Sequence, residues 1–423
     1  MKRLSTSIVL VLLIVCPGVR AADAPSIEEL KTRASTGDAR AQLDLAVRYR
    51  DGKGVNCDYD LAMHWAHIAA DHGDASAMDF VGYAYLTGRG TACNAHVAFG
   101  YFRAAADDSA QAGYNLGQCY FGAQGVEQDI PKALGAWKKA AEMGSGHAAA
   151  EAAMAYLSGE GVPANPKEAR QLATRAAELG NLAGLVILGE IQFQAGEIDA
   201  ARASWTRASH MKPVHPTGQP VGPSDNLSAQ EAADLLKLMD YRHRKPEPGT
   251  FAYVDGPHIH QGYNNCGATS SAMLARVQGA KIGAWDFKRL CPSPIGTGTD
   301  WGDLLAAAEK IGLHWKLVTF TPDDDGFQQG TAFLRLELDA GRPVVIDFKF
   351  TGPEYPTGEA GHTLDVAGYI ASEDLFILRN PAIASPGLEL IAAEDLNRYW
   401  RSDHYGELSH NILSRPAIVI DRR

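Results

Sequence analysis

Apolar and small residues in the first half of the chain recur at a long, regular interval. Tyr49, Tyr85, Tyr120 and Tyr156 are spaced by 36, 35 and 36 residues, and each stands five before a glycine: Gly54, Gly90, Gly125 and Gly161. The same register aligns the alanine pairs Ala69-Ala70, Ala105-Ala106, Ala140-Ala141 and Ala176-Ala177. It also aligns Asp58, Asn94, Asp129 and Asn165, residue types whose side chains cap the first turn of a helix. Each unit therefore predicts a helix, a glycine-containing turn and a capped helix. Alanine lets neighbouring helices approach closely, and no unit can bury its apolar face without the next. The pattern thus predicts an all-α solenoid of helix-turn-helix repeats. Leu182 to Met211 predicts a shorter terminal pair, and Ser26-Ile27-Glu28-Glu29 forms a capping box for a leading helix, so the solenoid is expected over 26–211.

The pattern changes after Met211. Residues 212–250 are dense in proline and glycine, with one short helical piece from Ser228 to Met239, and are expected to be a linker. From Phe251 to the end, 251–423, short strands mix with helices, which predicts an α+β domain. Leu364 and Val366 continue a period-two face after His362, and Ala371 to Asp374 breaks the run before a second strand, Leu375 to Arg379. A hairpin centred near residue 371 would set His362 opposite Asn380. At the other end of the chain, Lys2 and Arg3 precede an apolar run from Ile8 to Val15, a Pro-Gly break and Ala21-Ala22. This is the pattern of a secretory signal over 1–21, cleaved after Ala21 or Ala22, because the apolar run is too short to span a bilayer. Val15 occupies the place where a lipoprotein site wants a small residue, which argues against lipidation of Cys16. The protein is expected to be exported, to the periplasm or beyond, with no membrane span after cleavage.

With 46% apolar and 21% charged residues the chain is ordinary globular material. Removing the signal takes the formal charge from −11 to −14 and the cysteines from six to five. An acidic chain without a Lys/Arg cluster has no footprint for a nucleic acid. Five cysteines in an oxidising compartment leave at least one thiol unpaired. Cys57 and Cys93 occupy equivalent positions in successive repeats, with Cys119 in the following helix; a disulfide among the three and burial as small apolar residues both remain open. His258 and His260 share a strand face without a third ligand nearby, so no metal and no other cofactor is expected. Asp323 to Asp325 reads as a solvated loop or a weak calcium site. Gly296 to Trp301 leads into a helix capped by Thr299 or Asp300.

The candidate chemistry lies in GPHIHQGYNNCGATSSAM, Gly256 to Met273. Cys266 stands at the start of a helix-forming run, where the positive end of the helix favours a thiolate, the form that attacks a carbonyl. Gln261, five residues earlier, could set its side-chain amide beside the Cys266 N–H as a pair of donors for a developing oxyanion. His362, in GHTLDVAGY, is the candidate base, and Asn380 the candidate that orients its imidazole. Asp365 is a rival for that last role, but three residues along a strand put it on the face opposite His362. Plainer readings exist for each: Cys266 as a structural thiol or a partner of Cys291, His362 as a core histidine, Asn380 as a turn residue, Gln261 as a loop residue.

Two resemblances follow from these residues. The units A-x-x-x-(L/V/A)-(G/A), Y-x-x-G-x-G and A-x-x-x-x-x-x-A-A, over about residues 39 to 180, resemble Sel-one-like repeats, relatives of tetratricopeptide repeats, with Ala123 in place of one turn glycine. That resemblance implies a protein-binding scaffold without chemistry of its own. The series Q-x4-N-C-G-x-T-S-x-x-M, L-x-x-G-R-P-V-V-I, G-H-x-L-x-V-x-G-Y and N-P, over roughly Gly256 to Asp421, resembles the papain-like family that processes bacteriocins at double-glycine leaders. It implies a papain-like cysteine peptidase domain, a nucleophile helix packed on an antiparallel sheet, and a Cys/His/Asn triad with an oxyanion glutamine carried by Cys266, His362, Asn380 and Gln261. The chain departs from that pattern in a Gln-to-Cys interval one residue shorter, in Asn380 where Asp is commoner, and in Ala268 where proline is usual. The expected function is thiol peptidase action on a peptide or protein, recruited by the repeats. A peptidase-like domain that only binds peptides, and an amidase or acyl transferase using the same Cys/His pair, are the alternatives. No G-x-x-x-x-G-K-[ST] motif occurs, so an attached ATPase is not expected.

Overall fold

The repeat register becomes geometry at the helix ends. A computed structural model describes residues 25–211, 223–242, 245, 247–255, 266–292, 301–321, 323–350, 360–381, 387–400 and 415–421. Its first eleven helices are α1 (Ile27–Ser35), α2 (Ala39–Asp51), α3 (Tyr59–Asp71), α4 (Ala75–Thr87), α5 (Ala95–Ala105), α6 (Ala110–Phe121), α7 (Ile130–Glu142), α8 (Gly146–Ser158), α9 (Pro166–Glu178), α10 (Leu182–Gln194) and α11 (Ile198–His210). Asp58, Asn94, Asp129 and Asn165 are the N-caps of α3, α5, α7 and α9, accepting from the backbone N–H three residues on at 2.9, 3.1, 2.9 and 3.3 Å. Each such cap stabilises its helix by about 1 kcal/mol. Ser26 caps α1 in the same way, on Glu29.

Small residues set how closely the helices approach. A Cβ on Gly117 of α6 would fall 2.2 Å from Nε1 of Trp137 on α7, so the indole lies directly on the α6 backbone. Trp137 is fully buried there, and its Nε1 donates to the Tyr114 carbonyl at 3.3 Å. The alanines of the repeat signature, Ala69, Ala105, Ala140 and Ala176 among them, are fully enclosed. Stacked in this way, each repeat completes the core of its predecessor.

The second part contains α12 (Pro223–Leu238), β1 (Phe251–Tyr253), α13 (Cys266–Val277), α14 (Ala284–Leu290), α15 (Trp301–Lys310), β2 (Trp315–Phe320), α16 (Asp324–Asp339), β3 (Val344–Phe350), β4 (Ala360–Ile370), a 3-10 turn (Ala371–Glu373), β5 (Leu375–Arg379), β6 (Leu388–Ala392), α17 (Ala393–Tyr399) and β7 (Arg415–Ile420). The strands form one antiparallel sheet in the order β2-β7-β3-β4-β5-β6, with β1 pairing the far half of β4. One face, carrying Ile346, Leu364, Val366, Leu378 and Val419, packs against Leu334 and Leu338 of α16 and against Leu396 and Trp400. The other face is shared. Val345 and Ile418 lie under α13, α14 and α15, whereas Ile370, Ile377 and Leu388 lie against α10, α11 and α12.

Three expectations change at this level. Part of the stretch expected to be a linker is an integral helix: Leu235, Leu238 and Met239 are buried between the solenoid and the sheet. The β4–β5 turn is centred between Ser372 and Glu373 rather than at 371, with Ile370 opposite Leu375; a bulge between Val366 and Gly368 then brings Asp365 opposite Arg379, and Asn380 leaves the ladder level with Leu364 rather than opposite His362. The offset arises at the turn, where the 3-10 segment Ala371–Glu373 and Asp374 at φ +53 set the pairing, while at the bulge a Cβ on Gly368 would sit 2.4 Å from the Ala252 carbonyl of β1. Finally, the acidic run is a helix start: Asp323 caps α16 by accepting from Gly326 N at 2.8 Å, and Asp324 and Asp325 occupy the first turn, where carboxylates suit the helix dipole.

Cys57, Cys93, Cys119, Cys266 and Cys291 all carry thiols rather than disulfides. Cys57 and Cys93 keep their equivalence, each Sγ donating at 3.2 Å to the carbonyl seven residues back, of Arg50 and Leu86. Burial pushes the Cys119 thiol up to about 12. Among the described residues no helix is long and apolar enough to cross a membrane.

Candidate functional site

Cys266 is the first residue of α13 and is half-buried, while Gly267 to Ala275 behind it are enclosed. The helix forms here because the run from Cys266 to Val277 lacks proline and is rich in alanine, and glycine occurs only in its first turn. Its N-terminus sets the positive end of the helix dipole beside the thiol.

One turn further on, Ser270 Oγ donates to the Thr363 carbonyl of β4 at 2.8 Å. Thr363 directly follows His362 in that strand, where the His362 backbone pairs with Phe348 of β3. The helix that begins at Cys266 is therefore fastened to the strand that carries His362, within one residue of it. Four residues of helix rise about 6 Å, so the fastening lies close to the nucleophile end of α13. The His362 side chain is outside the described residues, as are Gln261, His258, His260, Thr299 and Asp300.

Asn380 follows β5 and is buried. Its backbone N–H donates to the Gly387 carbonyl at 2.7 Å, and its Nδ2 donates to Glu389 Oε2 of β6 at 2.9 Å. Level with Leu364, Asn380 stands two residues, about 7 Å of strand, from His362 along β4. Asp365, the rival, shares its strand face with Val345, under α13, and is fully buried. Burial pushes its carboxyl up to about 7 against the opposing pull of Arg379, whose Nε lies 3.9 Å away. Arg379 also donates from Nη2 to the Val254 carbonyl at 3.0 Å, which ties this buried pair to the segment after β1. Asp365 thus faces Arg379 across the β4–β5 pairing at a distance beyond a hydrogen bond.

The solenoid reaches the same helix from the other end. Arg276, near the C-terminus of α13, donates to Ser158 O at 3.2 Å and to Glu160 Oε2 at 3.0 Å, both in the turn of the fourth repeat, and to Ile282 O at 2.7 Å. Glu160 is buried, accepts from Ala284 N at 2.9 Å and so caps α14. Burial pushes the Glu160 carboxyl up, and Arg276 draws it back down.

Ser270 and Glu389 escaped the sequence reading. For Ser270 a signal existed, since it stands four residues after Cys266 and so one turn above it on the same helix face. Glu389 had none, because its tie to Asn380 depends on the β5–β6 pairing.

The Sel1 repeat family model matches residues 39–74, 75–109, 110–145 and 146–181, so the solenoid is built on four Sel1 repeats. Among solved structures, a Sel1 repeat protein from Oxalobacter formigenes aligns with 26% identity over 45% of this chain and 78% of its own, with a TM-score of 0.41. The protective antigen c5321 of uropathogenic Escherichia coli aligns with 18% identity over 74% of this chain and 60% of its own, with a TM-score of 0.44. A double glycine motif protease from an AMS/PCAT transporter, solved with a leader peptide, aligns with 17% identity over 40% of this chain and 95% of its own, with a TM-score of 0.27. No curated protein matches the chain. The molecule is thus a Sel1-repeat solenoid joined to a C-terminal antiparallel sheet with its helices.

Proposed function

We propose that the C-terminal region is a papain-like thiol peptidase acting on a peptide or protein substrate. Cys266 thiolate attacks the peptide carbonyl, Gln261 and the Cys266 N–H hold the oxyanion, and the His362 imidazolium protonates the leaving amine. Asn380 orients the imidazole. The observation that carries this reading is the Ser270–Thr363 bond, which fastens the helix starting at Cys266 to β4 beside His362. The order of motifs along the sequence supports it independently. The Sel1 repeats imply a protein partner, and in this reading they recruit the substrate or seat the peptidase in an assembly. The basic and apolar start of the chain supports export with cleavage near Ala21.

The test is alkylation of the purified protein by iodoacetamide across pH, with each cysteine followed by peptide mass spectrometry. A thiolate–imidazolium pair makes Cys266 react well below the ordinary thiol pKa of about 8.5, and His362→Ala abolishes that reactivity. Ordinary thiol behaviour at Cys266, with no reaction well below about pH 8.5, would remove the peptidase reading.

A further inference from the structure

We propose that Glu389 is a positioning residue for the candidate site, and that its carboxylate is the reason an asparagine, rather than an aspartate, stands at position 380. The inference rests on the reading of Cys266, His362 and Asn380 given above and adds to it the group that fixes the third member.

A carboxylate only accepts hydrogen bonds, and an amide donates only through its nitrogen. With Asn380 Nδ2 at 2.9 Å from Glu389 Oε2, the amide's orientation is set: the nitrogen side belongs to Glu389, and what the side chain turns away from Glu389 is its carbonyl. A carbonyl is the group that accepts from an imidazole N–H and so holds a histidine base in one tautomer. An aspartate at 380 would face Glu389 with two acceptors at hydrogen-bond distance, and like charges at that distance do not both stay ionised in place.

Glu389 is itself held from outside the sheet. β6 is an edge strand, and α12 covers that edge with two carboxylates: Glu231 Oε1 accepts from Gly387 N at 2.8 Å and Asp234 Oδ2 from Leu390 N at 2.9 Å. These bonds bracket Glu389 on both sides. Glu231 is completely buried, and burial together with the nearby Glu389 charge pushes its carboxyl well up. The helix that docks the solenoid on the sheet therefore also braces the strand that orients Asn380.

The test uses the full mature chain and the rate of Cys266 alkylation at pH 7, with kcat and KM followed as well once a peptide substrate is in hand. Asn380→Asp should slow alkylation about tenfold, an effect equivalent to one pKa unit. Adding Glu389→Gln in the same chain, which gives the new carboxylate a donor, should return the rate to within about threefold of wild type. Glu389→Ala alone, which leaves the Asn380 amide without its anchor, should slow alkylation by a smaller factor and carries the test should Asn380→Asp fail to fold. Wild-type rates for Asn380→Asp, or no recovery on adding Glu389→Gln, would overturn the role of Glu389 while leaving the peptidase reading intact. A wild-type Cys266 without reactivity at neutral pH would overturn both together.

Discussion

The solenoid, whose core is largely alanine, and the sheet region, whose core is largely valine, isoleucine, leucine and aromatic residues, also treat their polar groups differently. Among the described residues, every buried side-chain nitrogen or oxygen without a hydrogen-bond partner lies at or beyond Glu231; Asp365, Arg379 and Ser271 are examples, and the repeats contribute none. In the repeats the polar requirements are local, met by caps three residues away and by bonds such as Gln42 Nε2 to Ala34 O at 2.9 Å. In the sheet region, charges sit at strand pairings and helix interfaces where local chemistry cannot satisfy them. A scaffold can be polar-complete repeat by repeat. A region that keeps buried charges at a stability cost is one shaped by something besides stability, which fits the candidate chemistry there.

The sharpest way to break the comparison is to cut the join. Arg276 and Glu160 have side chains 16% and 6% exposed, so this is a largely buried ion pair whose loss leaves a carboxylate stranded against α14. Arg276→Ala should cost about 3 kcal/mol, the low end for breaking a buried pair. Calorimetry should then show two unfolding transitions where wild type shows one, because the solenoid and the sheet region no longer melt together. Adding Glu160→Gln should recover part of the loss by removing the stranded charge. One unchanged transition in Arg276→Ala would mean that the remaining contacts, α10 to α12 on the sheet and Trp285 in the core around Trp137, suffice to unite the two parts.

A second variant probes an exception inside the solenoid. Asp79 on α4 accepts from Asn115 Nδ2 on α6 at 2.7 Å, a bond between equivalent helices one repeat apart. Burial pushes the Asp79 carboxyl up to about 6, with Asn115 pulling it down. Its folded pKa therefore exceeds the unfolded value of about 3.9, so the folded state holds the proton more tightly. Stability from this group is then highest below about pH 4, falls between about pH 4 and 6, and stays low above. Asp79→Asn should stabilise the protein by about 1 kcal/mol at pH 7.5 and by nothing measurable at pH 4, read as the shift in urea midpoint. An equal effect at both pH values would assign the change to packing.

What could be read in the sequence divides along the same line. The repeat helices, their caps and the leading helix were legible because each is decided within a few residues: a cap, a turn glycine, an alanine pair. The start of a helix at Cys266 was legible for the same reason. The register at Asn380 was not, since it depends on where the turn after Ile370 closes and on a bulge at Gly368 beside β1, which arrives from far upstream. Nor was the role of α12, whose Glu231 and Asp234 look like ordinary surface residues until β6 is set against them. For the candidate site, sequence could nominate Cys266, His362, Asn380 and Gln261, and helix spacing set Ser270 one turn above Cys266, but its bond to β4 and the tie of Glu389 to Asn380 depend on long-range packing that no local pattern records.

The smallest expected effect tests how far the repeats tolerate departure from their own rule. Ala123 stands where the other three repeats place Gly52, Gly88 and Gly159, and it adopts φ +53, in the left-handed region those glycines occupy at +68, +73 and +66. A side chain in that conformation costs about 1–2 kcal/mol, because Cβ crowds the following carbonyl. Glycine at 123 would remove that strain, yet it would also loosen the unfolded chain, which offsets about 0.4–1 kcal/mol of the gain. Ala123 is packed partly into the core around Trp137 and Ile130, so its methyl group contributes some burial that glycine forfeits. The strain is the largest of the three, and Ala123→Gly should therefore stabilise the protein by about 0.5 kcal/mol. The measurement is the denaturant midpoint at constant slope. A loss of stability would show that the methyl contact outweighs the backbone, and that the third repeat keeps alanine for its packing.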